Sequence, residues 1–449
     1  MNEIPFRDAV RLWVKIAVHS FGGPAGQIAV MHKMLVEEKK WISENKFLHA
    51  LNYCMLLPGP EAQQLATYTG YQLHGIKGGL TAGGLFILPG FLSILVLSIA
   101  YSMFHEWTIV QGLFFGIKPA VFAVVAGALL KISARALKNY VMYLIAVLSF
   151  TAIFFAHIPF PYIILIAGSI GFIGGIYRED LFLVIKLKDV KDDTSEASGI
   201  PHPSIGKTLR TVILWGGLWF IPVALLFIFL GRKNIFVEEA IFFSKSAVVT
   251  FGGAYSVLAY IAQRAVETYH WLNPGEMLDG LGMAETTPGP LIQVVQFVGY
   301  MGAFRNHGSL DPLTAGIAGS VLVTWVTFIP CFLFIFAGAP YIQWLEGNKK
   351  FSTALSGITA AVVGVIANLS VWFALHLLFK NSVSLEFGLL RFDVPVLQSL
   401  DISSLLLSIT AFIMYFYFKL DMIKTILYCA AAGMGYSFLM VYLKQSNML

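Results

Sequence analysis

Apolar residues in this chain gather into long runs separated by short polar gaps. Runs at 80–104, 142–157, 162–176, 213–230, 355–378, 402–418 and 422–443 reach or approach the ~20 residues with which a helix crosses a bilayer. The pattern predicts crossings at 79–104, 109–131, 139–157, 160–176, 211–230, 313–337, 352–377, 399–418 and 422–443. Two further apolar stretches, 6–36 and 43–75, are interrupted, and read as helical hairpins that enter and leave on one side. The interruptions are Phe21-Gly22-Gly23-Pro24 and Pro58-Gly59-Pro60, with a second pair at Phe251-Gly252-Gly253 and Pro288-Gly289-Pro290. Proline lacks an N–H and suits the first turn of a helix, and glycine reaches conformations that other residues avoid. Each break therefore predicts a new short helix, over 24–36, 61–73, 254–266 and 291–303. The expected fold is an all-α polytopic membrane protein with about nine full crossings plus short half-helices. A transmembrane β-barrel would need alternating segments of ~10 residues, and the chain has none.

The breaks recur because the chain is duplicated. Residues 21–60 laid over 251–290, a constant offset of 230, match at 12 of 40 positions, including Trp41/Trp271 and the whole Pro-Gly-Pro. The same offset pairs Asp8 with Glu238 and Lys15 with Lys245. After one deletion Gly70-Tyr71 faces Gly299-Tyr300, and after an insertion Pro89 faces Pro330 and 116–129 faces 357–370. The expected division is an N-terminal transporter repeat at 1–176, a polar linker at 177–210, a connector transmembrane helix at 211–231 and a C-terminal repeat at 232–449. The connector has no counterpart in the first repeat. One extra crossing between two repeats of even crossing number inverts the second against the first, as in many transporters.

Composition and charge sharpen this picture. The chain of 449 residues is 57% hydrophobic and 12% charged, against about 25% charged in soluble domains. Nine crossings with the N-terminus inside put 21 of the 30 Lys and Arg on the inner side, among them Lys186 and Lys188, the asymmetry that orients membrane proteins. The net charge of +5 forms no basic stripe interleaved with aromatics, so nucleic acid is not an expected partner. Residues 1–20 carry Arg7, Arg11 and Lys15 without a small-residue cleavage site, and read as part of the first hairpin. Cys54, Cys331 and Cys429 show no paired spacing for a metal or disulfide.

The residues that can carry chemistry cluster at the breaks. Helix N-termini present unpaired N–H groups and partial positive charge, a ready site for anions. Four such ends brought together would make Gly22, Gly23, Gly252, Gly253, Gly59 and Gly289 backbone donors. The plainer alternative is that Gly-Gly packs helices closely and Pro-Gly-Pro makes a turn. Lys15 and Lys245 each lie six residues before a Phe-Gly-Gly inside an apolar helix, where a cation is costly and usually functional, unless it snorkels to an interface. Lys118, before Pro119, is a third intramembrane cation, and its repeat partner is Thr359. Gln64, Gln293 and Gln296 lie in the first turns after Pro-Gly-Pro and offer amide donors to an oxyanion; Asn52 and Tyr68 are weaker candidates. Glu61 is either a carboxylate at a helix N-terminus or a protonatable coupling group. No catalytic array, nucleotide loop, metal set or cofactor signature is visible, so an enzyme is not expected.

The stretches "FGGPAGQIAVM" (21–31), "LPGPEAQQLATYTGY" (57–71), "FGGAYSVL" (251–258) and "TPGPLIQVVQFVGY" (287–300), with the duplicated layout, resemble the chromate ion transporter family in its two-domain, long-chain form. The resemblance covers nearly the whole chain. It implies export of chromate, a tetrahedral oxyanion dianion, across the bacterial inner (cytoplasmic) membrane, with halves of opposite orientation. Sulfate has the same charge and shape, so a sulfate or other oxyanion transporter stays open, as does an anion channel. Beyond the oxyanion and the lipid bilayer, a homodimer is the partner left open.

Overall fold

The computed structural model describes residues 4–184, 204–342, 349–387 and 390–446. The middle of the expected linker, with Lys186 and Lys188, lies outside the described residues. Among them, seven helices are long and apolar enough to cross a membrane. They are α4 (Glu61–Phe104), α5 (Thr108–Ala136), α7 (Phe160–Tyr177), α9 (Ile205–Leu230), α14 (Pro312–Gly338), α15 (Lys349–Leu378) and α17 (Met422–Gln445). Two shorter apolar helices, α6 (Tyr140–Phe154) and α16 (Ile402–Phe412, extended by a π turn to Tyr417), complete the expected set. The protein is an all-α polytopic membrane protein. A four-residue helix, α8 (Glu179–Phe182), follows α7.

The broken segments fold as short helices. In the first half these are α1 (Phe6–His19), α2 (Gly23–His32) and α3 (Glu44–Leu56); in the second, α10 (Ile235–Val248), α11 (Ala254–Gln263), α12 (Pro274–Thr286) and α13 (Val294–Arg305). Helix α4 turns back on itself at His74 and Gly75, whose backbones leave the helical region (Gly75 φ 60°). The arm before the break then lies against the arm after it: a side chain at Gly78 would collide with Gly70 O, and one at Gly83 with the Thr67 hydroxyl. Helices α13 and α14 repeat this contact, with Gly299 and Gly319 meeting backbone to backbone. Small residues at these points let the arms approach closely.

The duplication persists in backbone detail. Positive φ occurs in pairs 230 residues apart: Gly22/Gly252, Gly23/Gly253, Lys40/His270 and Gly59/Gly289. The turn after α2 and that after α11 close with equivalent hydrogen bonds, Trp41 N–H to Leu35 O at 2.9 Å and Trp271 N–H to Ala265 O at 2.8 Å. The ends of the long helices are exchanged between halves. Ile94 and Tyr101 of α4 are buried with α10–α13, while Phe332, Ile335 and Phe336 of α14 are buried with α1–α4. The outer helices exchange likewise. Gly116 of α5 lies against Cys429 O of α17, and Gly357 of α15 against Ala167 O of α7.

One element goes beyond the expected helices. Two strands, β1 (Ser382–Phe387) and β2 (Leu390–Pro395), form an antiparallel ribbon with Ser382 opposite Pro395. The alternation Val383, Leu385, Phe387 and Leu390, Phe392, Val394 is the period-2 pattern of paired strands.

Candidate functional site

The four breaks meet at one place and bind each other reciprocally. Gly59 N–H donates to Thr250 O at 2.7 Å, and Gly289 N–H donates to Ser20 O at 3.0 Å. Both acceptors directly precede a Phe-Gly-Gly, and donors and acceptors are each 230 apart. Each Pro-Gly-Pro is thus held by the other half's Phe-Gly-Gly. Positive φ at Gly59 (130°) and Gly289 (108°) turns these amides across the boundary, a conformation for which glycine is the natural residue. The chain packs tightly here: a Cβ at Gly289 would lie 3.0 Å from Gly90 Cα, and one at Gly59 would lie 3.1 Å from Cys331 Sγ. Gly90 and Cys331 are themselves equivalent, each one residue past the prolines Pro89 and Pro330.

The expected donors divide into two groups. Gly59 and Gly289 commit their amides to the other half and do not hold them open. At Gly22, Gly23 and Gly253, by contrast, the space where a Cβ would stand is open to 4 Å, while Gly252 faces Val362. The glutamine amides are engaged locally. Gln64 Nε2 donates to Pro58 O at 2.7 Å, Gln293 Nε2 to Gln296 Oε1 at 2.6 Å, and Gln296 Nε2 to Phe91 O at 3.0 Å. Gln27, which was not among the expected donors, donates to Gly289 O at 2.6 Å. The carbonyl oxygens of Gln27, Gln64 and Gln293 are buried with no hydrogen-bond partner among the described residues. The cavity between Gly59, Thr250, Ser246 and Thr327 measures about 10 Å³, about one water. The crossover is closed in this conformation. A larger cleft of about 70 Å³, lined by His157, Gln263, Glu267, Asn368, His376 and Lys380, lies between the ends of α6, α11 and α15, away from the crossover.

The three lysines are placed differently. Lys15 and Lys245 are exposed on α1 and α10, each followed by a buried residue, Ile16 or Ser246; no ion pair joins them to the breaks among the described residues. Lys118 is three-quarters buried and pairs with Asp279, Nζ to Oδ2 at 3.5 Å. Glu61 is half-buried in the first turn of α4, where a carboxylate complements the helix dipole.

Of the buried acids of the second half, sequence reasoning noted Glu285 beside Pro-Gly-Pro and missed Glu239, Glu276 and Asp279. Asp279 is fully buried and also accepts from Tyr101 OH at 2.9 Å. Glu276 takes a bidentate pair from Arg305 at 2.7 and 2.6 Å and accepts from Asn273 N–H. Glu285, just before the second Pro-Gly-Pro, accepts from Tyr255 OH. Glu239 is fully buried beside Gly302 and Gly319. Rarity of acids in apolar helices was the available signal, but the partners lie too far away in sequence to be read.

This architecture is that of a multi-pass helical membrane protein built from two copies of one broken-helix unit, the class to which secondary transporters with interrupted helices belong. The chain belongs to the chromate transporter family, whose profile matches residues 7–172 and 237–434. The two matches start 230 residues apart (237 − 7). The chain is 28% identical over 381 residues to a chromate transport protein of Cupriavidus metallidurans, covering 84% of this chain and 83% of that one. A chromate transport protein of Pseudomonas aeruginosa is 30% identical over 359 residues, 79% of this chain and 77% of the relative. A shorter relative, the uncharacterized transporter YwrB of Bacillus subtilis, is 29% identical over 140 residues, 31% of this chain but 71% of its own. No solved structure matches the chain.

Proposed function

We propose that this protein is a secondary transporter that moves chromate out of the cytoplasm by alternating access, with the crossover of the broken helices as its anion site. The observation that carries the reading is the reciprocal pair of hydrogen bonds, Gly59 to Thr250 and Gly289 to Ser20. It joins the four helix breaks of the two halves in two pairs, and the space beside the Cα atoms of Gly22, Gly23 and Gly253 is open. Helix N-termini of this kind attract a dianion without a dedicated cationic cage. Lys15 and Lys245 add positive charge at equivalent positions before the breaks, and Lys118 adds a third. Gln64, Gln293 and Gln296 then exchange their internal hydrogen bonds for the oxyanion when the crossover opens. Two relatives are named as chromate transport proteins, which supports chromate as the substrate.

The proposed layout keeps 1–176 and 232–449 as oppositely oriented halves, joined by the 177–210 linker and the 211–231 connector, with the N-terminus in the cytoplasm. A pseudo-two-fold axis in the membrane plane then relates the paired hydrogen bonds, so the rocking of one half against the other exposes the same site alternately to each side. The energetics suit export: a dianion leaving an inside-negative cell gains roughly 4.6 kcal/mol per 100 mV, from ~2.3 per charge.

The test is chromate flux from proteoliposomes under an imposed voltage, with sulfate as competitor. Saturable, voltage-driven efflux with counterflow is expected. Flux that rises linearly without counterflow would replace the transporter with an anion channel, and full inhibition by equimolar sulfate would move the substrate assignment to oxyanions in general.

A further inference from the structure

Among the described residues, Lys118 is the one of the three lysines that the fold gives a counter-ion. Its Nζ stands 3.5 Å from Asp279 Oδ2, its side chain is 25% exposed, and the acid is fully buried. The pair bridges the halves: Lys118 is on α5, Asp279 on α12. Asp279 is held by one further side chain of the first half, Tyr101 of α4, whose hydroxyl donates at 2.9 Å. The other carboxylate oxygen, Oδ1, is buried without a hydrogen-bond partner among the described residues.

The remaining groups around this acid are accounted for. Glu276, one turn earlier on α12, is satisfied by Arg305 of α13. His105, directly after α4, packs on the Tyr101 ring at 4.5 Å. α15 carries no ionisable side chain between Lys350 and His376, and α17 contributes the thiol Cys429, beside Gly116. A lysine with an open face and a single buried acid is a contested cation: anything negative that reaches it competes with Asp279.

We propose that Lys118 is a gate residue contested by Asp279 and the transported oxyanion, so that a proton on Asp279 frees Lys118 for the anion. The inference rests on the transport reading above. When the anion takes Lys118, Asp279 takes up one proton from the water on the open side of the lysine; when the anion leaves, Asp279 gives that proton up and recovers its partner. Anion and proton binding then favour each other by the same factor in both directions. A merely structural ion pair has the opposite signature, because neutralising either partner alone leaves the other charge buried and unpaired.

The experiment is the concentration dependence of chromate transport by the reconstituted full chain, measured across a pH series. For the wild type, KM rises with pH. Asp279→Asn lowers KM by about tenfold, the factor expected if Lys118 is free about a tenth of the time, and flattens its pH dependence. Lys118→Met raises KM, and the double variant behaves like Lys118→Met. Should Asp279→Asn fail to insert, Tyr101→Phe keeps the ring, removes one hydrogen bond to the carboxylate, and shifts the pH profile. A wild-type KM and slope for either variant, or a double variant restored to wild type, overturns the gate and leaves transport standing. If the wild type saturably carries neither chromate nor sulfate, the transport reading falls and the gate falls with it.

Discussion

The two hairpin regions, α1–α3 and α10–α12, share a backbone but not an interior. Helix α12 is buried at every position from Glu276 to Glu285, whereas its equivalent α3 buries five residues. The buried acids Glu239, Glu276, Asp279 and Glu285 stand where the first half has Ala9, Lys46, His49 and Met55. Duplication thus preserved the features that set chain direction: the positive-φ glycines, the tight helix contacts and the reciprocal hydrogen bonds. It did not preserve the buried acids, although Lys15/Lys245 and Asp8/Glu238 stayed paired. The second half's hairpin packs against α5, α15 and the 76–104 arm of α4, and there Glu276, Asp279 and Glu285 are held by specific partners, while both carboxylate oxygens of Glu239 are buried without a hydrogen-bond partner among the described residues. The first half's hairpin has an exposed outer face, where Asp8 and Arg11 pair at 3.8 Å while largely exposed.

The largest expected effect breaks the shared part. Gly289→Ala places a Cβ 3.0 Å from the Gly90 backbone at a φ of 108°, which adds a steric clash to a strain of ~1–2 kcal/mol. Gly59→Ala meets the Gln64 amide and Cys331 Sγ, side-chain atoms that can shift. Folded yield in detergent is expected to fall for both and further for Gly289→Ala; equal tolerance would mean that the crossover does not constrain the fold. Next comes the unshared part. Arg305→Met strips Glu276 of its bidentate partner and should destabilise by about 3–5 kcal/mol, whereas Arg11→Met should change thermal stability by less than ~1 kcal/mol. Similar melting shifts for the two would contradict the contrast between the halves. The smallest structural effect belongs to the equivalent lysines. Lys15→Ala and Lys245→Ala should insert and melt like wild type yet lose chromate transport in liposomes; wild-type flux in both would remove them from the path.

Much of this was legible in the sequence. The Phe-Gly-Gly and Pro-Gly-Pro breaks predicted short helices at 24–36, 61–73, 254–266 and 291–303, and the structure starts helices at Gly23, Glu61 and Ala254 and a 3-10 turn at Leu291. Proline and glycine act locally, so their effects can be read locally. What could not be read depends on contacts between distant residues. Lys118 was recognisable as an intramembrane cation, but no periodicity links position 118 to Asp279. Gln27 could not be read because its partner, Gly289 O, lies 262 residues away. Gly59 and Gly289 read as open donors because nothing in their spacing reveals that Thr250 and Ser20 accept from them. The β1–β2 ribbon lies in a stretch with no repeat partner and no helix period.

The central claim is that the reciprocal crossover relates two halves of opposite orientation. Labelling of single cysteines tests it most directly. Lys40 and His270 occupy equivalent turns, with φ of 54° and 53°. Lys40→Cys and His270→Cys, in an otherwise cysteine-free chain, should react with an impermeant thiol reagent from opposite sides of the membrane, Lys40→Cys from the cytoplasmic side. Labelling of both from the same side would contradict the claim.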